Sequence, residues 1–122
     1  MGSKVITIVP ELGIGNIKKY PVFDPKEVQV IFTWNKARLG KGYQTVTSCL
    51  LRHRLEVIGF GFAVENPSDE SNIDEGMRWA FKRAIKSFIK NFEYRNNITV
   101  SPSFKNLIDD KFRFALWEAT DG

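Results

Sequence analysis

Hydrophobic and polar residues alternate through the first half of the chain, and this period of two predicts β-strands. Residues 5–9 are all β-branched and are followed by a proline, which predicts a short first strand. Three more strand-like runs follow at residues 28–35, 43–51 and 55–64, separated by short polar or glycine-containing segments. Connections this short join neighbouring antiparallel strands. The sequence therefore predicts a three-stranded meander plus the first strand over residues 4–65.

The last of these strands carries large side chains on one face and glycines on the other. We expect the large side chains to face the core: Ile58, Phe60, Phe62 and Val64. Gly59 and Gly61 then leave a bare strip on the outer face of the sheet. Glycines within a strand mark a bulge or a close approach of another group. Three interpretations of this strip therefore remain: a bulge, a sheet-to-sheet subunit contact and a binding surface for a flat ligand.

The hydrophobic period then changes to 3.6 residues and predicts one long amphipathic helix over residues 72–92. Asn72 is the expected N-cap, and Glu75, three residues later, can complete a capping box. On a helical wheel centred on Phe81, the apolar positions form one stripe that we expect to face the core. The stripe contains Met77, Phe81, Ala84, Ile85, Phe88 and Phe92.

A second helix is predicted near the end of the chain, over residues 102–118. Ser101 and Pro102 form a typical helix start. The apolar residues that follow keep helical spacing: Phe104, Leu107, Ile108 and Phe112. Residues 111–117 also alternate, so a final strand at this place is the alternative. These elements predict one α+β domain over residues 1–122, in which an N-terminal antiparallel sheet precedes two helices.

A length of 122 residues fits a single domain, and 43% hydrophobic with 26% charged residues is typical of a globular chain. No apolar run is long enough for a membrane span, and the N-terminus lacks the pattern of a secretory signal. The single cysteine, Cys49, can form no internal disulfide, so we expect a cytoplasmic protein. The net charge of +4 favours anionic partners without requiring them.

The polar face of the long helix contains a tryptophan among cations. Trp79 falls nearly opposite Phe81 on the wheel, together with Arg83, Lys86 and Lys90. An exposed indole among lysines and arginines has the chemistry of base stacking combined with phosphate neutralisation. Burial of this tryptophan under the second helix or another subunit is the alternative interpretation.

The sequence offers little catalytic machinery. The single histidine, His53, lies in a polar turn without a carboxylate or nucleophile at a recognisable spacing. No cluster of histidines and cysteines has metal-ligand spacing. Cys49 lies within an apolar strand and is expected to be a small buried residue rather than a nucleophile. We therefore expect a binding protein that is not an enzyme and that uses no cofactor or metal.

Residues 57–90 combine a strand, the segment 66–69, which reads Asn-Pro-Ser-Asp, and an acidic-capped helix with a basic row. With the preceding meander and the C-terminal helical segment, residues 28–117 resemble the phage anti-Thoeris sponge family. The resemblance implies a phage-encoded anti-defence protein that sequesters a cyclic ADP-ribose isomer, the signal of bacterial TIR-domain immune proteins, without cleaving it. It also implies action in the host bacterial cytoplasm, and a homodimer or higher homo-oligomer with ligand pockets at subunit interfaces.

A cyclic ADP-ribose isomer carries two phosphates and one adenine, and the resemblance implies three kinds of contact with it. Arginines bind phosphate through paired hydrogen bonds. The candidates are Arg78, Arg83, Arg95 and Arg113. Trp79 would stack on the adenine, or Phe81 would do so if a subunit interface opens the apolar stripe. The position of Asn91 at the edge of the apolar stripe favours capping of the helix end, and contact with the adenine or a ribose is its alternative role.

Three other functions are open on sequence alone. A small basic nucleic-acid-binding module with a double-stranded-RNA-binding-like fold is the second hypothesis, because the meander and the basic helix suit a duplex. An inhibitor directed at a host defence protein is the third hypothesis, and an enzyme is the fourth.

Overall fold

The computed structural model of the protein describes residues 2–10, 27–40, 42–65 and 73–121. Within these ranges, four strands precede two helices. The strands are β1 (Gly2–Ile8), β2 (Val28–Leu39), β3 (Gly42–His53) and β4 (Glu56–Val64), and the helices are α1 (Ile73–Asn96) and α2 (Pro102–Asp121). This order confirms the predicted α+β fold, in which an antiparallel sheet is followed by two helices.

All four strands lie in one antiparallel sheet in chain order, β1-β2-β3-β4. The longest pairing joins β2 to β3 across a tight turn, in which Gly40 has a positive φ of 67°. Glycine adopts that conformation without steric cost. The pairing extends β2 through Leu39, four residues beyond the predicted end of the strand.

The structure reverses the predicted faces of β4. A β-bulge at Ile58 lies between the pairs that β4 forms with Leu51 and Arg52 of β3. Beyond the bulge, Gly59 and Gly61 face the core, and the larger side chains that alternate with them are exposed. The exposed residues are Phe60, Phe62 and Val64. The prediction that these three residues face the core is therefore wrong, whereas Ile58 is buried as predicted.

The two glycines face inward because α1 lies directly against β4. A Cβ atom at Gly59 would lie 2.6 Å from the Ala84 carbonyl oxygen. A Cβ atom at Gly61 would lie closer still to the Ala80 carbonyl oxygen and the Ala84 amide nitrogen. Small residues on both elements let the two backbones approach. Glycines rather than large side chains therefore occupy the core face of β4 at this contact.

The rest of the core is formed by the apolar stripe of α1, the facing side of the sheet and α2. Phe81 is buried, and its ring centroid lies 6.4 Å from that of Phe32 on β2. Phe88 contacts α2 through Phe112, with 5.2 Å between the ring centroids. Aromatic pairs at such separations add about 0.5–1.5 kcal/mol each beyond area burial. The predicted stripe is confirmed: Phe81, Ala84, Ile85, Phe88 and Phe92 are buried, and Met77 is partly buried against them.

The C-terminal end of α1 lies four residues beyond the predicted end at residue 92. Asn97 adopts a left-handed conformation, with a φ of 51°, and its N–H donates to the Tyr94 carbonyl oxygen. The Ile98 N–H donates to the Glu93 carbonyl oxygen at 3.1 Å, which completes a Schellman motif. Asn91 therefore lies inside the helix, and the prediction that it caps the helix end is wrong. The predicted N-cap Asn72 and the segment 66–69 lie outside the described residues.

The start of α2 matches the sequence prediction. The Ser101 hydroxyl accepts a hydrogen bond from the Phe104 N–H at 3.3 Å, and Pro102 occupies the first helical position. The Glu93 carboxylate of α1 accepts the Val100 N–H at 2.8 Å just before α2 begins, and it lies 3.9 Å from the Lys105 ammonium nitrogen of α2. The helix continues to Asp121 without a strand, so the alternative of a strand over residues 111–117 is wrong.

Candidate functional site

A groove of about 930 Å³ lies between the N-terminal half of α1 and the C-terminal half of α2, beside the helix-facing side of β1 and β2. Its apolar lining comes from Ile6, Phe32, Met77, Phe81 and Leu116. Its polar and amphipathic lining comes from Lys4, Asp74, Glu75, Arg78, Trp79, Lys82, Arg113, Trp117 and Thr120. The volume lies in the range of small-molecule sites, which are apolar clefts with a few convergent polar groups.

Two tryptophans, one from each helix, line this groove. Trp79 on α1 is 47% exposed and Trp117 on α2 is 60% exposed. The Lys82 ammonium nitrogen lies 5.2 Å from the centroid of the Trp79 ring, and the Arg83 guanidinium carbon lies 5.9 Å from it. The predicted exposure of Trp79 among cations is confirmed. Each indole keeps surface that a flat aromatic ligand can stack on.

Four cations line the groove from three different elements: Lys4, Arg78, Lys82 and Arg113. Arg113 also contacts its own helix, because its Nε lies 3.1 Å from a carboxylate oxygen of Asp109. Within the described part of the chain, no ion pair involves Lys4, Arg78 or Lys82. Their charges are therefore available to a bound anion.

Two carboxylates, Asp74 and Glu75, line the end of the groove at the first turn of α1. Carboxylate oxygens accept hydrogen bonds from hydroxyl and amino groups, so this end suits the neutral polar parts of a ligand. Four cations and two carboxylates leave a net charge of +2 on the lining side chains. The groove as a whole thus favours a ligand with a net negative charge.

The structure brings four of the seven predicted site residues to one place. Arg78, Trp79, Phe81 and Arg113 all line the groove, and Phe81 forms part of its floor because it is only 4% exposed. Arg83 lies beside Trp79, but its guanidinium donates to the Phe62 carbonyl oxygen at 2.7 Å. This hydrogen bond gives Arg83 a structural role at the edge of the sheet.

The other two predicted residues lie far along α1 from the groove. At about 1.5 Å per residue, Asn91 and Arg95 lie about 18 Å and about 24 Å beyond Trp79 along the helix axis. Arg95 forms an ion pair with Glu56 at the start of β4. The sequence prediction counted these side chains with the site because it considered residue type without distance along the helix.

The sequence prediction left several residues of the groove out of the site, among them two cations and the second tryptophan: Lys4, Lys82 and Trp117. Trp117 follows Arg113 by four residues, so a wheel drawn for α2 places both on one face. Lys82 lies three residues after Trp79 and could have been found in the same way. Lys4 comes from β1, and no local pattern in the sequence relates it to the helices.

The described residues contain no group of three or more histidine, cysteine, aspartate and glutamate side chains arranged to hold a metal ion. Over the described ranges, neither α1 nor α2 has the apolar length needed to cross a bilayer. Comparison with known protein families, with curated proteins and with solved structures finds no match. The functional argument therefore rests on the chemistry of the groove.

Cys49 lies on the core face of β3 and is fully buried, as predicted. Burial raises the pKa of its thiol from 9.0 to about 12, because a thiolate would lose its hydration. We therefore expect the native protein to resist thiol-labelling reagents at neutral pH and the urea-unfolded protein to react rapidly. Rapid labelling of the native protein would contradict the burial.

The same shift predicts how stability depends on pH. The unfolded chain loses the thiol proton near pH 9.0, whereas the folded chain keeps it to about pH 12. The free energy of unfolding should therefore fall as the pH rises through this interval. Urea titrations of the wild type and of Cys49→Ala isolate this effect, since all other titrating groups are shared. Equal pH dependence in the two proteins would contradict the prediction.

Proposed function

We propose that the protein binds a nucleotide-like anion in the groove without cleaving it, and that the ligand is a cyclic ADP-ribose isomer. The observation that carries the proposal is the presence of two exposed tryptophans and four cations in a single groove. In this proposal the protein is a phage-encoded sponge. It acts in the host bacterial cytoplasm and removes the signal made by TIR-domain immune proteins.

The charges of the groove suit the two phosphates of such a ligand. The lining side chains carry a net charge of +2, which balances a pyrophosphate with one negative charge on each phosphorus. Arg78 and Arg113 are the planar donors that bind phosphate oxygens in pairs, and Lys4 and Lys82 add point charges. The charged lining is thus complementary to the ligand in sign.

The remaining lining suits the adenine and the sugars. Trp79 of α1 and Trp117 of α2 both offer indole surface to the groove, and stacking on an aromatic ring contributes about 1–3 kcal/mol per base. Asp74 and Glu75 can accept hydrogen bonds from ribose hydroxyls or from the adenine amino group. A sponge needs slow release, which a ligand held by both stacking and charge provides.

All of these contacts come from one chain. The family resemblance implies pockets at subunit interfaces, whereas α1, α2 and β1 of a single protomer line the groove described above. The backbone contact between α1 and β4 fixes the helix that forms one wall of the groove, so the backbone that carries Arg78, Trp79 and Lys82 is in place before the ligand arrives. Such preorganisation lowers the entropy that binding must overcome.

Native mass spectrometry with a panel of cyclic nucleotides tests the proposal. We expect one cyclic ADP-ribose isomer to bind per protomer and to be recovered with unchanged mass after heat denaturation. Recovery of a cleaved product would show an enzyme instead. If no cyclic nucleotide binds while duplex RNA or DNA does, the proposal is wrong.

Two arginine variants on the same helix give the matched comparison. Arg78→Ala should weaken binding about 10- to 100-fold, the usual effect of losing a hydrogen bond to a charged group. Arg95→Ala should bind as the wild type does, because Arg95 pairs with Glu56 away from the groove. Isothermal titration calorimetry measures both. Equal affinities of the two variants would show that the ligand does not contact Arg78.

A nucleic-acid-binding module is the second candidate, and one observation favours it. Arg78, Lys82, Lys86 and Lys90 follow each other at four-residue intervals and form a row about 18 Å long on the surface of α1. If all four contacted phosphates of a duplex, the slope of log K against log salt would be about −3.6. Binding of a small nucleotide in the groove should depend on salt much less. A salt titration therefore distinguishes the two candidates.

A further inference from the structure

The face of the sheet opposite the helices, called the outer face below, carries an apolar row that crosses all four strands. The pairing of the strands places Val5, Ile31, Leu50 and Phe60 side by side. Phe62 extends the patch along β4, and its ring centroid lies 6.3 Å from that of Phe60. Val5 is 59% exposed and Phe60 is 48% exposed. Contiguous apolar patches of this kind on a protein surface mark interaction sites.

The outer face is also almost free of charge. Alternation along the described strands places a single charged side chain on it, Arg52, whose guanidinium donates to the Gln29 side-chain oxygen at 3.1 Å. The charged residues of the strands fall in the opposite alternation, as Lys4, Lys36 and Arg38 do. In a chain with 26% charged residues, such segregation indicates a face that is covered. Depletion of charge is the signature of an interface core.

We infer that the outer face binds a second copy of this chain, sheet against sheet, to form a homodimer with the helices on the outside. A neutral face is compatible with its own copy, because two-fold pairing brings no like charges together near the axis. Sheets pack face to face at about 10 Å through interdigitating apolar side chains. The apolar row of the outer face can supply such side chains, and the polar residues beside it are uncharged apart from Arg52.

The area reaches the lower limit for a specific dimer. Four strands about 4.8 Å apart and about eight residues long give a face of roughly 19 Å by 26 Å. Two such faces together bury about 1,000 Å² if each is treated as flat, without the extra surface of its side chains. A specific interface needs about this area. The dimer would therefore lie at the smaller end of stable interfaces.

Association through the edge of β4 is less favourable than association through the face. The Phe60 N–H donates to the Ser87 hydroxyl at 3.3 Å, and the Phe62 carbonyl oxygen accepts the Arg83 guanidinium. Side chains of α1 therefore occupy backbone groups that another strand would need for pairing. This leaves the outer face as the apolar surface of β4 that a partner can reach.

The dimer has a consequence for ligand binding that does not depend on which ligand is bound. The groove lies on the helix side of the sheet, so the two grooves of a dimer would open away from each other. Each protomer would bind one ligand, and the two sites would bind independently. Disruption of the dimer should therefore leave the affinity per protomer unchanged.

Sedimentation equilibrium of the full chain tests the inference. We expect the wild type to be a dimer, and Phe60→Asp to raise the dimer dissociation constant at least about 30-fold, as loss of an interface anchor does. Tyr43→Asp is the matched control, because Tyr43 is 71% exposed but belongs to the opposite alternation of β3. A monomeric wild type would overturn the inference, because the face would then have another occupant, such as residues 11–26 or a different protein. Equal dimerisation of the two variants would also overturn it.

Cross-linking provides a second measurement that does not depend on the folding of Phe60→Asp. Ser48 lies near the centre of the outer face, and the native Cys49 is buried, so Ser48→Cys introduces one reactive thiol. A short bis-maleimide should join two copies of Ser48→Cys and should not join two copies of Tyr43→Cys. Absence of the Ser48→Cys cross-link, or equal cross-linking of both variants, would overturn the inference.

Discussion

Gly61→Val should destabilise the protein by at least about 3 kcal/mol, because the new side chain has no space between β4 and α1. Even a single Cβ atom at this position would overlap the backbone of α1 at Ala80 and Ala84. Backbone atoms cannot move aside as a flexible side chain can, so α1 as a whole would have to shift away from the sheet. That shift would also expose Phe81 and Phe88, which α1 buries against the core.

Urea denaturation followed by circular dichroism measures this effect, and Gly42→Val is its control. Gly42 also lies in a strand, but a Cβ atom there would have no neighbour within 4 Å. Valine favours strands, so Gly42→Val should change the free energy of unfolding by less than about 1 kcal/mol. If Gly61→Val unfolds at the same urea concentration as the wild type, the close contact between α1 and β4 is wrong.

The double variant Trp79→Ala, Trp117→Ala should lose most of the affinity for a nucleotide ligand while keeping its fold. Stacking contributes about 1–3 kcal/mol per base and the proposed ligand has one base, so removal of both tryptophans should weaken binding by at least about 5- to 150-fold. Both side chains are about half exposed or more, and neither is part of the buried core. Their removal should therefore cost little stability.

Tyr94→Ala is the matched control for the tryptophan variant. Tyr94 is an aromatic residue of the same helix and is 88% exposed, but it lies about 22 Å beyond Trp79 along the axis. Calorimetry should show wild-type affinity for Tyr94→Ala and very weak binding for the double variant. Unchanged affinity in the double variant would exclude stacking in the groove, whatever the ligand.

The order and type of the secondary-structure elements could be predicted from sequence because each element carries its own period. The stripe around Phe81 and the start of α2 at Ser101 and Pro102 were local signals, and the structure confirms both. The face of β4 could not be predicted in this way. Large side chains normally face a core, and only the packing of α1 against β4 reveals that Gly59 and Gly61 occupy that position.

The part of the site that one helix carries could be predicted from the sequence. The part in which residues of several elements meet could not. Arg78 and Trp79 belong to one helical turn, so a wheel is sufficient to relate them. Lys4 reaches the groove because β1 lies next to α2, which is a tertiary contact without a sequence signal. Arg95 was included on residue type alone and lies at the other end of α1, where it pairs with Glu56.

The hydrogen bonds from α1 to the edge of β4 have a consequence for the newly synthesised chain. Residues 57–64 contain no charged side chain and combine valine, isoleucine and phenylalanine, a composition that promotes aggregation when a strand edge is open. The donor Arg83 and the acceptor Ser87 arrive only when α1, the next described element, has emerged from the ribosome and docked. Fast docking of α1 therefore protects the nascent sheet from intermolecular pairing. Slow docking would leave the edge of β4 open to pairing with strands of other chains.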